Sequence, residues 1–271
     1  MPQLVIFSDF GEVLGTDGSI SSDQVQGAIE QLGREGIPLI FASTRTAAEM
    51  VTMQRRLGLH APFIAERGSA VYVPKGYFPF GFQSDRSTAT HWIIELGTPH
   101  RALKKFLSEV SPFPDLAIRG FGDMGIDAVA TLTGLPAQAA AREMVREYGE
   151  ILVLEGPPAS IERFGALARS SGLALVPAGN FHLLHGDADP GLAVLVLSAL
   201  FVRRHGRIVS AALGQVNADL PMLAAVNLPV LLGGRLLLKD PFQVPEKHLP
   251  FHAKSWAQGV KHILQKAAQA D

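Results

Sequence analysis

The sequence predicts an α/β fold: a doubly wound, Rossmann-like parallel sheet interrupted by an inserted α+β section. Three observations predict it. LVIF (4–7), IPLIFA (37–42) and PFIAE (62–66) are apolar almost without a break, as strands covered on both faces should be. The segments between them carry apolar residues at helical spacing, and such a βαβαβ run implies parallel strands joined by right-handed crossovers. The same alternation returns near residue 189, after a long stretch of different character.

In chain order, Ser22 or Asp23 can cap a first helix with Val25, Ala28, Ile29 and Leu32 on one face and Gly33 and Gly36 at its end. TAAEMVTMQRRLG (46–58) reads as a second helix with Met50, Met53 and Leu57 inward. From residue 69, SAVYVPKGYF combines alternation with turn residues, like a hairpin. HWIIEL (91–96) reads as a strand, and TPHRALKKFLSEV as a helix opening at Thr98 with Pro99 in its first turn. AAAREMVREY (139–148) predicts another helix, and ILVLEG a strand after it. Then come a long apolar helix over 191–204, the strand RIVSAAL (207–213), the short helix DLPMLAAV and the strand LPVLL. The last segment places Trp256, Val260, Ile263 and Leu264 on one helical stripe, which reads as core. These elements divide the chain into a core domain, 1–83 with 186–271, and an inserted cap over 84–185.

A chain of 271 residues suffices for one large domain or two smaller ones, and 47% hydrophobic with 18% charged residues is globular composition. A net charge of −1 offers nothing to attract nucleic acid or an anionic membrane, so neither is expected as a partner. The absence of cysteine excludes disulfides and thiolate chemistry. The first residues lack the basic region and cleavage site of a signal peptide. The longest apolar run, GLAVLVLSALFV (191–202), is too short to span a bilayer. A soluble, cytoplasmic protein is expected.

In open parallel sheets, ligands sit beyond the carboxyl ends of the strands. Those ends deliver Asp9, Ser43 and the segment from Gly214 to Asp219. A carboxylate so placed can accept a phosphoryl group, with Mg²⁺ neutralising charge. Arg45 is a candidate to grip a phosphate or carboxylate through two parallel hydrogen bonds, or to form a surface ion pair. Asp17 and Gly18 in TDGS read as a hairpin turn, and His182 and His185 as packed or exposed histidines rather than metal ligands.

PFIAERG (62–68), ELGTP (95–99), GFGDMG (120–125), TGL (133–135), REYGE (146–150) and LGQVNADLPMLAAVNLPV (213–230) follow one another in an order that resembles the haloacid dehalogenase superfamily. Within it, the chain particularly resembles the mannosyl-3-phosphoglycerate phosphatases. The resemblance implies that Asp9 stands at the nucleophile of a D-x-D-G-T motif, with Gly11 at the general acid/base and Glu12 and Val13 after it. It implies Ser43, with Thr44 next to it, as the group holding the phosphoryl oxygens. Where the third motif carries a lysine, this chain reads Asp189, Pro190, Gly191, Leu192. In the fourth, Gln215 replaces the first acidic metal ligand and Asp219 keeps the second.

The catalytic candidates are therefore Asp9 and Ser43, with Glu12 as a substitute acid. Thr44, Arg45, Asp123 and Asn180 are the expected substrate contacts. The metal candidates are Asp9, Asp219, the neutral oxygen of Gln215 and the Gly11 backbone, a set expected to hold Mg²⁺ weakly or not at all. The expected protein is phosphatase-like, with impaired or absent phosphatase activity and a cleft for a phosphorylated sugar or glycerate ligand. The alternatives are an active Mg²⁺-dependent phosphomonoester hydrolase using Asp9, and a regulatory protein that binds another protein.

Overall fold

The computed structural model describes residues 2–10, 13–14, 20–110, 113–215, 217–233 and 250–269. The chain runs β1 (Gln3–Ser8), α1 (Asp23–Arg34), β2 (Leu39–Ala42), α2 (Ala47–Arg56), β3 (Phe63–Ala65), β4 (Ala70–Pro74), β5 (Arg86–Ser87) and β6 (His91–Glu95). It continues with α3 (His100–Glu109), β7 (Ala117–Gly120), α4 (Ile126–Thr133), α5 (Ala137–Met144), β8 (Gly149–Glu155), α6 (Pro158–Ser170), β9 (Ala174–Ala178) and β10 (Phe181–His185). It closes with α7 (Pro190–His205), β11 (Ile208–Gly214), α8 (Leu220–Ala224), β12 (Leu228–Leu232), β13 (Phe251–Ala253) and α9 (Trp256–Ala267).

Two sheets result. The larger has nine strands in the order β13-β12-β11-β1-β2-β3-β4-β6-β5. It is parallel from β13 to β3 and antiparallel beyond. Along β1, Leu4 and Ile6 join the side chains of α1, α2 and α9, whereas Val5 and Phe7 join those of α7 and α8. Alternate residues thus feed opposite cores, which is why the strand is apolar throughout. The doubly wound α/β core expected from sequence is what forms.

The second sheet is antiparallel, in the order β7-β8-β10-β9. Leu103 of α3 and Phe164 of α6 pack on one face, and Val129 of α4 and Ala140 of α5 on the other.

Three expectations change. Val71, Tyr72 and Val73 pair with Ile94, Ile93 and Trp92, so the strands over 86–95 extend the large sheet. The second sheet therefore takes over after residue 95, not at 84. The helix expected over 139–148 ends at Met144, and β8 begins already at Gly149. Pro99 occupies the N-cap position of α3 rather than its first turn. No helix of the described residues is long and apolar enough to cross a membrane.

A dense polar seam joins the sheets. The Glu66 carboxylate, buried just past β3, accepts the backbone N–H of Glu147 at 2.8 Å and of Tyr148 at 3.1 Å. The Arg146 guanidinium lies 4.0 Å from it, pairs with Glu143 and donates to the Thr44 carbonyl at 3.1 Å. The Tyr72 hydroxyl donates to Glu147 at 2.7 Å, and the Tyr148 hydroxyl to Glu95 at 2.6 Å. Burial pushes the Glu66 carboxyl up to about 7, against the opposing charge of Arg146 and the Tyr148 N–H.

Candidate functional site

The carboxyl ends of β1, β2 and β11 and the start of α7 open into a cavity of about 870 Å³. Asp9, Ser43, Thr44, Arg45 and Asp219 all line it. Each owes its place to the backbone that delivers it. The Asp9 N–H donates to the Leu213 carbonyl at 3.2 Å, continuing the pairing of β1 with β11. Below it the buried Ser8 hydroxyl donates to the Asp9 carbonyl at 2.8 Å and accepts the Trp256 indole N–H at 2.8 Å. Trp256 thus anchors the strand end as well as filling the core.

The Ser43 N–H donates to the Ile64 carbonyl at 3.0 Å, and its hydroxyl accepts the Arg45 N–H at 3.3 Å. Thr46 caps α2 in a reciprocal box with Glu49, whose other oxygen takes the Arg45 guanidinium at 3.0 Å. Arg45 therefore lines the cavity and also forms an ion pair. Burial works against the Glu49 charge, but the Thr46 N–H and Arg45 outweigh it and hold the carboxyl below its ordinary range.

After β11, Asp219 accepts the Gln215 N–H at 2.8 Å and closes the loop. A Cβ on Gly214 would sit 2.6 Å from the Asp219 Cβ, so the turn needs glycine. At the start of α7, Asp189 caps the helix by accepting the Gly191 N–H at 2.7 Å, and Pro190 faces the cavity.

Two expected contacts stand elsewhere. Asp123 pairs with Lys104 and lines a separate depression beside α3. Asn180 is exposed in the turn between β9 and β10. Neither lines the cavity of Asp9. The reason for the first is visible: the glycines of GFGDMG serve Glu150, which accepts the Gly122 N–H at 2.8 Å and leaves no room for a Cβ on Gly120. Gly11, Glu12, Asp17 and Gly18 lie outside the described residues. His182 and His185 sit on β10, and the described residues contain no cluster of His, Cys, Asp or Glu able to hold a metal ion.

Other cavity residues were not singled out from sequence. Arg142 and Glu143 come from α5, so the second sheet's helices wall the cavity from above. Burial raises the Glu143 carboxyl, partly opposed by Arg146. Arg67 follows β3 with φ of 64°, a conformation that no local sequence pattern announced.

A sheet with this cavity at its strand ends has the fold of haloacid dehalogenase-like hydrolases. The chain superposes on one from Bacteroides thetaiotaomicron with a TM-score of 0.60 at 14% identity, covering 97% of this chain and 100% of that one. On the sucrose-phosphatase of Synechocystis it reaches 0.54 at 16%, covering 99% and 98%. No family profile matches the sequence. It is 32% identical over 228 residues to the glucosyl-3-phosphoglycerate/mannosyl-3-phosphoglycerate phosphatase of Methanococcoides burtonii, covering 84% of each chain. To the phosphatase of the same name in Persephonella marina it is 31% identical over 231 residues, again covering 84% of each. The chain belongs to the mannosyl-3-phosphoglycerate phosphatase family, as its resemblance implied.

That kinship implies Mg²⁺ held between Asp9 and Asp219. Among the described residues the donor set fits it poorly. Among the described residues, four carboxylates line the cavity (Asp9, Glu49, Glu143, Asp219), but so do four guanidiniums (Arg45, Arg56, Arg67, Arg142), and the formal charges of these eight cancel. Glu49 and Glu143 are tied to arginines, and Asp219 commits one oxygen to its own loop. Mg²⁺ can be held by one or two carboxylates with waters and substrate, but among the described residues the surrounding guanidiniums offset the negative charge on which such a site depends.

Proposed function

We propose that the cavity binds a phosphorylated sugar or glycerate-type ligand, that the four-stranded sheet and its helices form the cap over it, and that phosphatase activity is severely impaired or absent. One combination carries this reading. Asp9, Ser43 and Pro190 line one cavity, and the family resemblance assigns the positions of an acid, a lysine and a metal carboxylate to Gly11, Pro190 and Gln215. Phosphoryl transfer depends on positioning and charge stabilisation more than on covalent chemistry. Attack by Asp9 would release an alkoxide, and Gly11 has no proton to give it. Loss of a positioned acid alone slows such steps by about 10²–10⁴-fold. Binding makes fewer demands. Guanidiniums suit both phosphate and carboxylate oxygens, and the cavity is lined by four of them.

The test is hydrolysis of mannosyl-3-phosphoglycerate and of an aryl phosphate with Mg²⁺, beside an Asp9→Asn control. The expected result is no turnover above the control, together with a rise in Tm when the sugar phosphate is added. Turnover that disappears in Asp9→Asn would replace this reading with an active hydrolase using Asp9. Neither turnover nor stabilisation would sink the ligand and point to a protein partner.

A further inference from the structure

We propose that Arg67 supplies the positive charge that holds a phosphoryl group in this cavity, doing from the end of β3 what Pro190 cannot do from the start of α7. The inference rests on the cavity reading above and adds the residue on which binding turns.

Four observations converge. The first is position. The Arg67 N–H donates to the Ser43 carbonyl at 2.9 Å, which fixes the residue beside the hydroxyl best placed to meet phosphoryl oxygens. Behind it, Gly68 packs so tightly on the peptide joining Asp189 to Pro190 that a Cβ would overlap the Pro190 nitrogen. Arg67 is therefore fastened to the very helix start that lacks a cationic side chain.

The second is strain. Glu66 and Arg67 have φ of 46° and 64°, and they are the only non-glycine residues of the described chain at positive φ. L-residues other than Asn and Asp rarely adopt this conformation. Strain at a cavity is kept where the surrounding structure imposes it and often marks function.

The third is an unmet donor. The Arg67 Nε is buried and has no hydrogen-bond partner among the described residues. Buried donors of this kind are uncommon. Arg45 is paired with Glu49, and Arg146, whose Nε is also unmatched, with Glu143; Arg142 forms no ion pair among the described residues but stands on α5 rather than at a strand end. No ion pair of the described residues takes up Arg67.

The fourth is the company it keeps. The nearby His185 is buried, which together with the Arg67 charge lowers its pKa. A neutral imidazole adds no cation of its own, so the guanidinium remains the fixed charge there.

Two ligand groups could present oxyanions to it, a phosphoryl group or a glycerate carboxylate. Proximity to Ser43 favours the phosphoryl group. The experiment compares the parent with Arg67→Asn and Arg67→Lys, reading inorganic phosphate and D-glycerate affinity by calorimetry and Tm by circular dichroism.

Arg67→Asn is expected to weaken phosphate binding by about 10–100-fold, the value of a charge-assisted hydrogen bond, and to leave glycerate binding unchanged. Asparagine tolerates the left-handed backbone, so its Tm should rise by about 2 °C. Arg67→Lys should keep part of the phosphate affinity. Equal phosphate affinity in parent and Arg67→Asn would overturn the inference and leave the cavity reading intact. A Tm several degrees lower in Arg67→Asn would overturn it too, by giving the guanidinium a structural task. Selective loss of glycerate binding would reassign Arg67 to the carboxylate. A parent that binds no phosphate would instead defeat the cavity reading, and this inference with it.

Discussion

The seam between the two sheets and the strand ends beneath the cavity are both polar, yet they are built in opposite ways. In the seam, Glu66, Glu95, Glu147 and Tyr148 find hydrogen-bond partners and Arg146 lies between Glu66 and Glu143, with its buried Nε left unmatched among the described residues. At the strand ends, by contrast, the reading proposed above leaves Asp9 and Ser43 without a catalytic set, because the family resemblance matches its positions to Gly11, Pro190 and Gln215. Three of the segments that carry the family resemblance, ERG, ELG and REYGE, form the seam. They hold the cap on the core and can persist whether or not phosphate is ever cleaved. A family likeness read from such segments reports architecture. Chemistry has to be read at the cavity.

The contrast can be broken by removing one charge on each side. Arg146→Met should have the largest effect, because it leaves Glu66 and Glu143 buried without their cation. A loss of about 3–5 kcal/mol in denaturant unfolding is expected. A loss under 1 kcal/mol would mean that the seam is not what holds the sheets together.

The pH dependence of stability comes next. The folded Glu66 carboxyl titrates near 7, above its ordinary value of 4.5, so the folded state binds the proton more tightly than the unfolded one. This contribution is present in full below 4.5 and is lost as pH rises through about 7. Over that window unfolding free energy should fall by about 3 kcal/mol, and Glu66→Gln should flatten the slope. Gly120→Ala follows at about 1–3 kcal/mol, since its Cβ would push into the Glu150 carboxylate held by Gly122. Arg45→Ala, on the cavity side, should cost least, about 0.3–0.5 kcal/mol, because Arg45 is itself exposed and Glu49, one turn on, keeps the Thr46 N–H. Thermal unfolding of these two variants side by side would show whether that order holds.

Local pattern made much of the core legible. The apolar runs of β1, β2 and β3 and the helical stripes of α1, α2, α7 and α9 appear where periodicity put them. The large sheet's antiparallel edge was not legible, because alternation identifies a strand without naming its neighbour. β7, α6 and the β9–β10 hairpin went unread, since short elements with mixed faces carry weak periodicity.

At the site, Asp9, Ser43 and Asp219 could be placed because strand ends in a parallel sheet converge. Asp123 was assigned to the ligand by its motif, and the motif's glycines instead accommodate Glu150. Arg67 escaped notice because its position depends on a left-handed backbone imposed by Gly68 and Pro190, far apart in sequence.

The seam also bears on whether the molecule is modular. Glu66 receives its N–H partners from residues 147 and 148, and Tyr72 its acceptor from Glu147. Excision of the insertion would strip the buried Glu66 carboxylate and the Tyr72 hydroxyl of these partners. The nine-stranded half thus completes its own hydrogen bonding with residues of the insertion, so that isolating it would expose a surface built to be covered.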